Sequence, residues 1–481
     1  MTMKNKSISG LSLKTKAAAV LLLYVFFVFL YFFIANPQLK YKTDASSIVR
    51  PAGTTVSPEL ASSVIAEQTI PPRADALQRV SILFTTFDRE NKGTIELRLL
   101  DGDKVLYQSS ISMSDMNGNY EWSHQFLKPL DFSGDSFRLV ISAVDAMENS
   151  TVSLLYTNQE NPIEGELTLN GEPVEGMLCM NVSYANETAF YLPYFLCTGI
   201  IGAFLLIYIL RMLYCEKSGK KCYGIIAMQA FARYSFLLKQ LVSRDFKLKY
   251  RRSILGGLWS ILNPLLMMLV ISSVFSYMFR FEIKNFPVYL ILGQTLFNFF
   301  SEATNTSMTA ILSSAGLIKK VYIPKYIFPV EKVLFAFVNF FISLTAVVIV
   351  MIVFRIQPQV TLFFLPLLLV YVLLFTMGIA ILLSSICVFF RDTIHLYGVL
   401  LIAWMYLTPI FYPVDQLNPW MRNILMINPM THFVQYFRNI AMYGVVPSVE
   451  TNLICLAVGI GSLLIGLAVF KKQQDRFILH I

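Results

Sequence analysis

Between residues 233 and 279 the chain changes solvent. At about 100° per residue, Arg233, Gln240, Arg244, Lys247 and Arg251 fall on one helical face, and Tyr234, Leu237, Leu238, Leu241, Val242 and Leu248 fall on the other. A basic amphipathic helix of this kind lies along a membrane surface. From Ile254 onward charge disappears, and 258–279 supplies roughly the 20 apolar residues that a bilayer crossing needs. Basic residues beside a span also act simply as positive-inside anchors, so this stretch fixes topology before it says anything of function.

The same alternation of apolar runs and basic turns recurs along the chain. Of 481 residues 56% are hydrophobic and only 14% charged, the composition of a polytopic membrane protein. The formal charge is +9, but the Lys and Arg stand next to apolar runs, where headgroups and topology account for them. Nucleic acid is not an expected partner. Six cysteines are scattered without a disulfide or zinc pattern.

In order, residues 1–36 comprise a basic tail and a first span, and 37–73 are polar with scattered Pro and Gly and read as a tether. The period then becomes that of strands. Val80, Ile82 and Phe84 alternate with polar or small neighbours, as do Ile95, Leu97 and Leu99, then Val105 and Tyr107, then Phe137, Leu139 and Ile141. Asp101-Gly102 and Asn170-Gly171 stand where hairpin turns belong. These features predict a jelly-roll-like β-sandwich over 74–183. A second span and a basic end, 190–222, return the chain to the inner side. The amphipathic helix occupies 225–252 and a six-span core fills 253–481. The expected whole is an α-helical polytopic membrane protein of about eight spans with an inserted extracytoplasmic all-β sandwich. Both termini are expected inside and residues 37–189 outside, in a bacterial inner or plasma membrane.

No nucleotide-binding loop is present: Ser218-Gly219-Lys220-Lys221 lacks the glycine and the strand-to-helix setting of a phosphate loop. No catalytic constellation and no metal-ligand spacing stands out. His395 and His432 lie at span boundaries, where an interfacial role is the ordinary one. Carboxylates that could drive ion-coupled transport are confined to span edges, at Glu302 and Glu331.

Four strings then occur in order along the six-span core. They are Lys249-Tyr250-Arg251-Arg252-Ser253-Ile254-Leu255-Gly256-Gly257-Leu258-Trp259 with Asn263-Pro264, Leu317 to Lys325 (LIKKVYIPK), Phe389-Phe390-Arg391-Asp392, and Thr408-Pro409-Ile410-Phe411-Tyr412-Pro413 with Ile427-Asn428-Pro429-Met430. Together they resemble the type-2 ABC exporter permeases that move O-antigen, wall teichoic acid and related polysaccharides, over about 233–470. The resemblance implies a permease homodimer, a lipid-linked glycan substrate and a separate P-loop ATPase that holds ATP and Mg, with no cofactor in this chain. It implies an ATPase-coupling role for Leu317, Lys319, Lys320, Tyr322, Pro324 and Lys325. It also implies that Arg244, Lys247, Tyr250, Arg251 and Arg252 form a cytoplasmic gate for a lipid diphosphate. Aromatics of the outer segment, Phe411, Tyr412, Trp420, Phe433, Tyr436 and Phe437, are candidates for stacking on the departing glycan. The β-domain departs from that pattern; it suggests glycan binding, although Tyr120, Trp122 and Phe126 equally suit a sandwich core. Two competing functions remain: a membrane-anchored glycan receptor or scaffold, and an exporter of a small hydrophobic compound.

Overall fold

The computed structural model describes residues 13–48, 55–61, 64–87, 89–116, 118–132, 134, 136–146, 150–157, 165–187, 191–219, 222–251, 253–278, 285–321, 323–414 and 418–480. They form two compact units, one of residues Leu23–Leu205 and the other of Leu206–Ile481 with the chain's beginning up to Leu22.

The first unit is a sandwich on a helical hairpin. Helix α1 (Leu13–Lys40) leads into β1 (Tyr41–Ile48), β2 (Thr55–Val56), β3 (Ile65–Ile70), β4 (Ala76–Thr85), β5 (Thr94–Asp101), β6 (Lys104–Ser112) and β7 (Asn119–Asp131). There follow β8 (Phe137–Val144), β9 (Ser153–Thr157), β10 (Leu167–Leu169), β11 (Glu172–Val174), β12 (Met177–Leu178), β13 (Met180–Glu187) and helix α2 (Tyr191–Ser218). One antiparallel sheet runs β1-β13-β4-β9-β12, with β7 also on β4 and β2 on β9; the other runs β11-β10-β3-β8-β5-β6. The chain changes sheet between β2 and β3, β3 and β4, β4 and β5, β6 and β7, β7 and β8, β8 and β9, β9 and β10, and β11 and β12. This is the wrapping of a jelly-roll-like sandwich.

The alternation read from the sequence is the sandwich core. Val80, Ile82 and Phe84 meet Ile95, Leu97, Leu99, Phe137, Leu139 and Ile141 in one buried cluster. Val105 breaks the pattern. A bulge between Leu99 and Leu100 pairs Leu99 with Tyr107 but Leu100 with Val105, so Val105 turns outward and is exposed. Asn170 and Gly171 both have positive φ, as a two-residue hairpin turn requires. The expected tether over 37–73 contributes three strands instead. β3 lies inside the second sheet, and β1 zips against β13 from Tyr41 opposite Glu187 to Ile48 opposite Asn181. Its Ser, Thr and Asp content concealed strands whose backbone pairing, rather than side-chain hydrophobicity, holds them. Trp122 and Phe126 are buried and Tyr120 packs against the same cluster, so these three aromatics belong to the core.

Where the sandwich chain enters and leaves, α1 and α2 run antiparallel. The Tyr24 hydroxyl donates to the Thr198 carbonyl at 2.5 Å, the Tyr194 hydroxyl donates to the Val28 carbonyl at 2.7 Å, and Tyr31 stacks on Tyr194.

The second unit is helical. Helix α3 (Tyr223–Lys249) is followed by α4 (Trp259–Met278), α5 (Phe286–Met308), the single turns α6 (Ala310–Ser313) and α7 (Ala315–Ile318), α8 (Ile327–Val353), α9 (Leu365–Phe389) and α10 (Thr393–Tyr406). An irregular stretch leads to α11 (Pro419–Ile427), α12 (Pro429–Arg438), a π-turn over Asn439–Tyr443 and α13 (Val449–Gln473). Among the described residues six helices are long and apolar enough to cross a membrane: α1, α2, α4, α8, α9 and α13. The other two expected spans differ in kind. α10 has only 14 residues, and α5, with 23, is polar along one side and mostly buried. Helices α9 and α13 approach so closely that a Cβ on Gly378 would stand 2.3 Å from the Ser462 carbonyl carbon, the small-residue contact typical of membrane helices.

One titration follows from the sandwich. His124 accepts from or donates to the Tyr107 hydroxyl at 3.0 Å, and burial lowers its pKa. A depressed histidine stabilises the fold fully above the ordinary imidazole value of about 6.5 and less as pH falls. The melting temperature of the isolated 41–187 domain is therefore expected to fall between about pH 7.5 and pH 5. His124→Gln should shrink that fall, as differential scanning fluorimetry would read.

Candidate functional site

Helix α3 positions its charges by burying its other side. Leu238 and Leu241 pack on Ile327 at the start of α8, with Tyr234, Leu237, Ile323, Val330 and Leu334 around them. The face expected to rest on lipid is thus largely covered by protein, because the next inner loop supplies a complementary apolar patch. Arg233, Gln240, Arg244, Lys247 and Arg251 remain exposed on the opposite side as the periodicity required.

Asp245 fastens α3 to α8. Arg244 donates to Asp245 Oδ1 at 2.8 and 2.9 Å, and Lys332 donates to the other carboxylate oxygen. Burial raises the Asp245 pKa, but Lys332 and Arg244 outweigh it and hold the carboxyl below its ordinary value. The tie therefore persists at neutral pH and is lost only as pH falls into the carboxylate range. Lys332 also lies 3.5 Å from Glu331.

The end of α3 is tied to α5. Lys249 Nζ donates to Glu302 Oε1 at 2.6 Å and lies over the rings of Tyr250 and Phe335, and Asn339 Nδ2 donates to the same carboxylate oxygen at 3.0 Å. This bridge lies on the wall shared by two cavities. One, of about 580 Å³, is lined by Arg244, Asp245, Lys249, Glu302 and Lys332, and by Ser313, Ser314, Gly316 and Leu317 of the inner loop. The other, of about 750 Å³, lies between α4, α5 and α8 and is lined mainly by amides and hydroxyls.

Of the expected gate residues, Arg244 lines the smaller cavity and Tyr250 the larger, where its hydroxyl bonds Ser260 and donates to Asn339 Oδ1 at 3.4 Å. Lys247 and Arg251 are exposed but line neither cavity, and Arg252 lies outside the described residues. Lys249 and Lys332, which the sequence reading did not place in the gate, line the smaller cavity.

The loop expected inside comprises α6 and α7, anchored on one side and bare on the other. Ile311, with Ile318 and Tyr326 against it, is held in a cluster with Ile381, Val388, Phe470 and Phe477. Gly316, Leu317, Lys319, Lys320 and Val321 are exposed. Pro324 is half-buried, and Tyr322 lies outside the described residues. Lys325 is turned inward: it donates to the Gln474 carbonyl and lies over the Phe477 ring, so it braces the loop against the C-terminal turn.

The segment between α10 and α13, expected outside, is held by two polar hubs. Asn428 accepts from Trp404 Nε1 at 2.7 Å and from the Met430 amide, and donates to the Leu407 carbonyl and Thr408 hydroxyl. Arg438 is buried, lies 3.3 Å from the Tyr289 ring centroid, and donates to the carbonyls of Tyr289, Pro409 and Ile410. The Thr408-Pro409-Ile410 and Asn428-Pro429 strings are thus parts of one bracket. Most of the expected stacking aromatics are spent inside it. Phe433, Tyr436 and Phe437 are buried, Phe411 stacks on Phe275, and Tyr412 is half-buried. Apolar periodicity on the amphipathic α12 drew them into the core. Trp420 alone of the six is well exposed, at 61%. His432 bonds the Met426 carbonyl at 2.8 Å.

Residues 237–442, which hold α4 to α12 and their inner loop, match the ABC-2 type transporter family. An O-antigen export system permease of Myxococcus xanthus is 30% identical over 247 residues, 51% of this chain and 95% of the relative. The chain belongs to the ABC-2 transporter permease family. An O-antigen export permease of Klebsiella pneumoniae is 28% identical over 242 residues, 50% of this chain and 93% of that protein. A polysialic acid transport protein of Escherichia coli is 24% identical over 258 residues, 52% and 98%. The permease is accordingly a multi-pass inner-membrane protein, and its sandwich lies outside the family match.

Sequence reading of this permease missed Lys249, Glu302, Asn339, Asp245 and Lys332 as partners, since nothing in linear order pairs 249 with 302 or 245 with 332. A signal did exist on α5: Gln294, Asn298, Ser301, Glu302 and Asn305 recur at helical spacing in an apolar run.

Arg438→Leu would strip three buried carbonyls of their donor, at about 1 to 3 kcal/mol each. The expected outcome is a marked drop in the detergent melting temperature and in membrane abundance, measured by fluorescence-detected size exclusion.

Proposed function

We propose that this permease is the membrane subunit of an ATP-driven exporter that carries a lipid-linked polysaccharide across the cytoplasmic membrane as a homodimer served by a separate ATPase. The observation that carries the reading is the smaller cavity, which joins the basic end of α3 to the inner loop. Three cations, Arg244, Lys249 and Lys332, border it against two carboxylates, Asp245 and Glu302. A phosphate or diphosphate headgroup at that level would compete for cations already held by weaker carboxylate contacts. Its acyl tail would stay in the bilayer.

The coupling follows from the shared wall. An ATPase pressing on the bare face of Gly316, Leu317, Lys319, Lys320 and Val321 would move the same loop that closes the cavity. Exposed apolar side chains flanked by lysines suit a protein partner. Ile318 and Lys325, anchored to α9, α13 and the C-terminal turn, would transmit the push to the helices. No covalent chemistry is asked of this chain.

Lys320→Glu and Leu317→Asp are each expected to reduce the P-loop ATPase recovered with the tagged permease by about tenfold or more, the loss of a central interface contact. Deletion of the permease should leave lipid-linked glycan inside the cell without changing sensitivity to hydrophobic drugs. Undiminished ATPase recovery with both variants would count against the coupling surface. Drug sensitivity without glycan accumulation would replace the substrate class.

A further inference from the structure

The larger cavity has a chemistry of its own. Gln294, Asn298, Ser301, Glu302 and Asn305 form a polar stripe along one side of α5 and all face it. Asn263 on α4 adds a further amide. In a membrane-spanning unit such groups are costly unless they are bonded or face a polar path. Gln294 stands about a third of the way along α5 and is only 8% exposed, yet among the described residues its Oε1 has no hydrogen-bond partner. A buried carbonyl oxygen left so is an acceptor that the described residues do not satisfy. Asn298, one turn further on, is exposed to the cavity.

Among the described residues the lining also lacks net charge. Its one described cation, Lys249, is bonded to its one described carboxylate, Glu302, on the wall toward the basic cavity. The sites for charged and uncharged groups are therefore adjacent and separated by a single ion pair. Amides that donate and accept match the paired functions of sugar hydroxyls, and Trp259, 45% exposed, offers an indole face at the rim.

We infer that the α5 stripe is a binding subsite for uncharged glycosyl units, entered from the basic cavity when a headgroup phosphate draws Lys249 away from Glu302, and hence that the polymer's backbone is neutral. Gln294 and Asn298 bond hydroxyls of the passing sugar, and the Trp259 ring stacks on its apolar face. The inference rests on the export reading above and narrows it from polysaccharide to a class of polysaccharide.

The test places a photo-crosslinking benzoylphenylalanine at Asn298, at Arg244, and at the outward-facing Leu464 of α13, each in the full-length permease with its ATPase in the native host. Irradiated permease is purified, and adducts are stained for carbohydrate and, after proteolysis and mild acid to cleave the glycosyl–phosphate bond, tested for retention on an anion exchanger. Carbohydrate adducts at positions 298 and 244 and none at 464, with the 298 adduct unretained, are the expected result. An adduct at 244 without one at 298 overturns the subsite and leaves the export reading standing. An acidic glycan at 298 overturns the inference of a neutral polymer, and no carbohydrate at either position overturns both readings. A second measurement separates function from folding. Gln294→Leu removes the unpartnered oxygen, so abundance and melting temperature should hold or rise while export falls about five- to tenfold, the worth of a typical hydrogen bond. Unchanged export in that variant would also overturn the subsite.

Discussion

A polar helix inside a membrane protein has to be sheltered by its own chain, and α5 imposes that requirement on the whole helical unit. Its backbone bonds are internal, but its amides, hydroxyls and carboxylate would each cost free energy in hydrocarbon. Helices α4, α8, α9 and α12 pack around it, and its apolar side is almost entirely buried. The surrounding helices can remain as apolar as lipid because α5 concentrates the polar groups. Its exposed side faces the cavity between α4 and α8, with Glu302 shared by the smaller cavity. Shelter and chamber are consequences of the same distribution of side chains.

The two ends of the helical unit are built differently. Where α3 meets α5 and α8 ion pairs dominate: Asp245 with Arg244 and Lys332, and Glu302 with Lys249. Partly exposed pairs of this sort contribute little to stability. Around the turn after α10, Arg438 and Asn428 bond backbone carbonyls that no helix satisfies. Such bonds are costly to break. The bracket also explains why the chain after α10 can be irregular, since the carbonyls of Leu407, Pro409 and Ile410 at its turn have side-chain donors.

The sandwich follows separate rules. Its core was readable from period-2 alternation at Val80 to Phe84, Ile95 to Leu99 and Phe137 to Ile141, because a strand buried on one face leaves that mark. The Asn170-Gly171 turn was equally legible, since few residues other than Gly and Asn take positive φ without strain. β1 was not, because an edge strand zipped by backbone bonds needs no hydrophobic period. Val105 was misplaced because a bulge reverses the facing of every residue beyond it.

Sequence by itself determined that this chain is an apolar, multi-helix membrane protein with a β-insert, that the turns on one side are basic, and that its second half carries the ordered strings of an ABC-2 permease. These depend on local period, charge and short motifs, which survive in linear order. Tertiary structure decided which cations meet which carboxylates, why Lys325 braces the loop while Lys320 is bare, and why Phe433 and Tyr436 are core. It also decided that the stripe on α5 faces a chamber. Pairings between residues 53 and 87 positions apart, such as Lys249 with Glu302 and Asp245 with Lys332, arise only when helices pack. A charge or an aromatic ring carries no mark in sequence of the partner that will desolvate it.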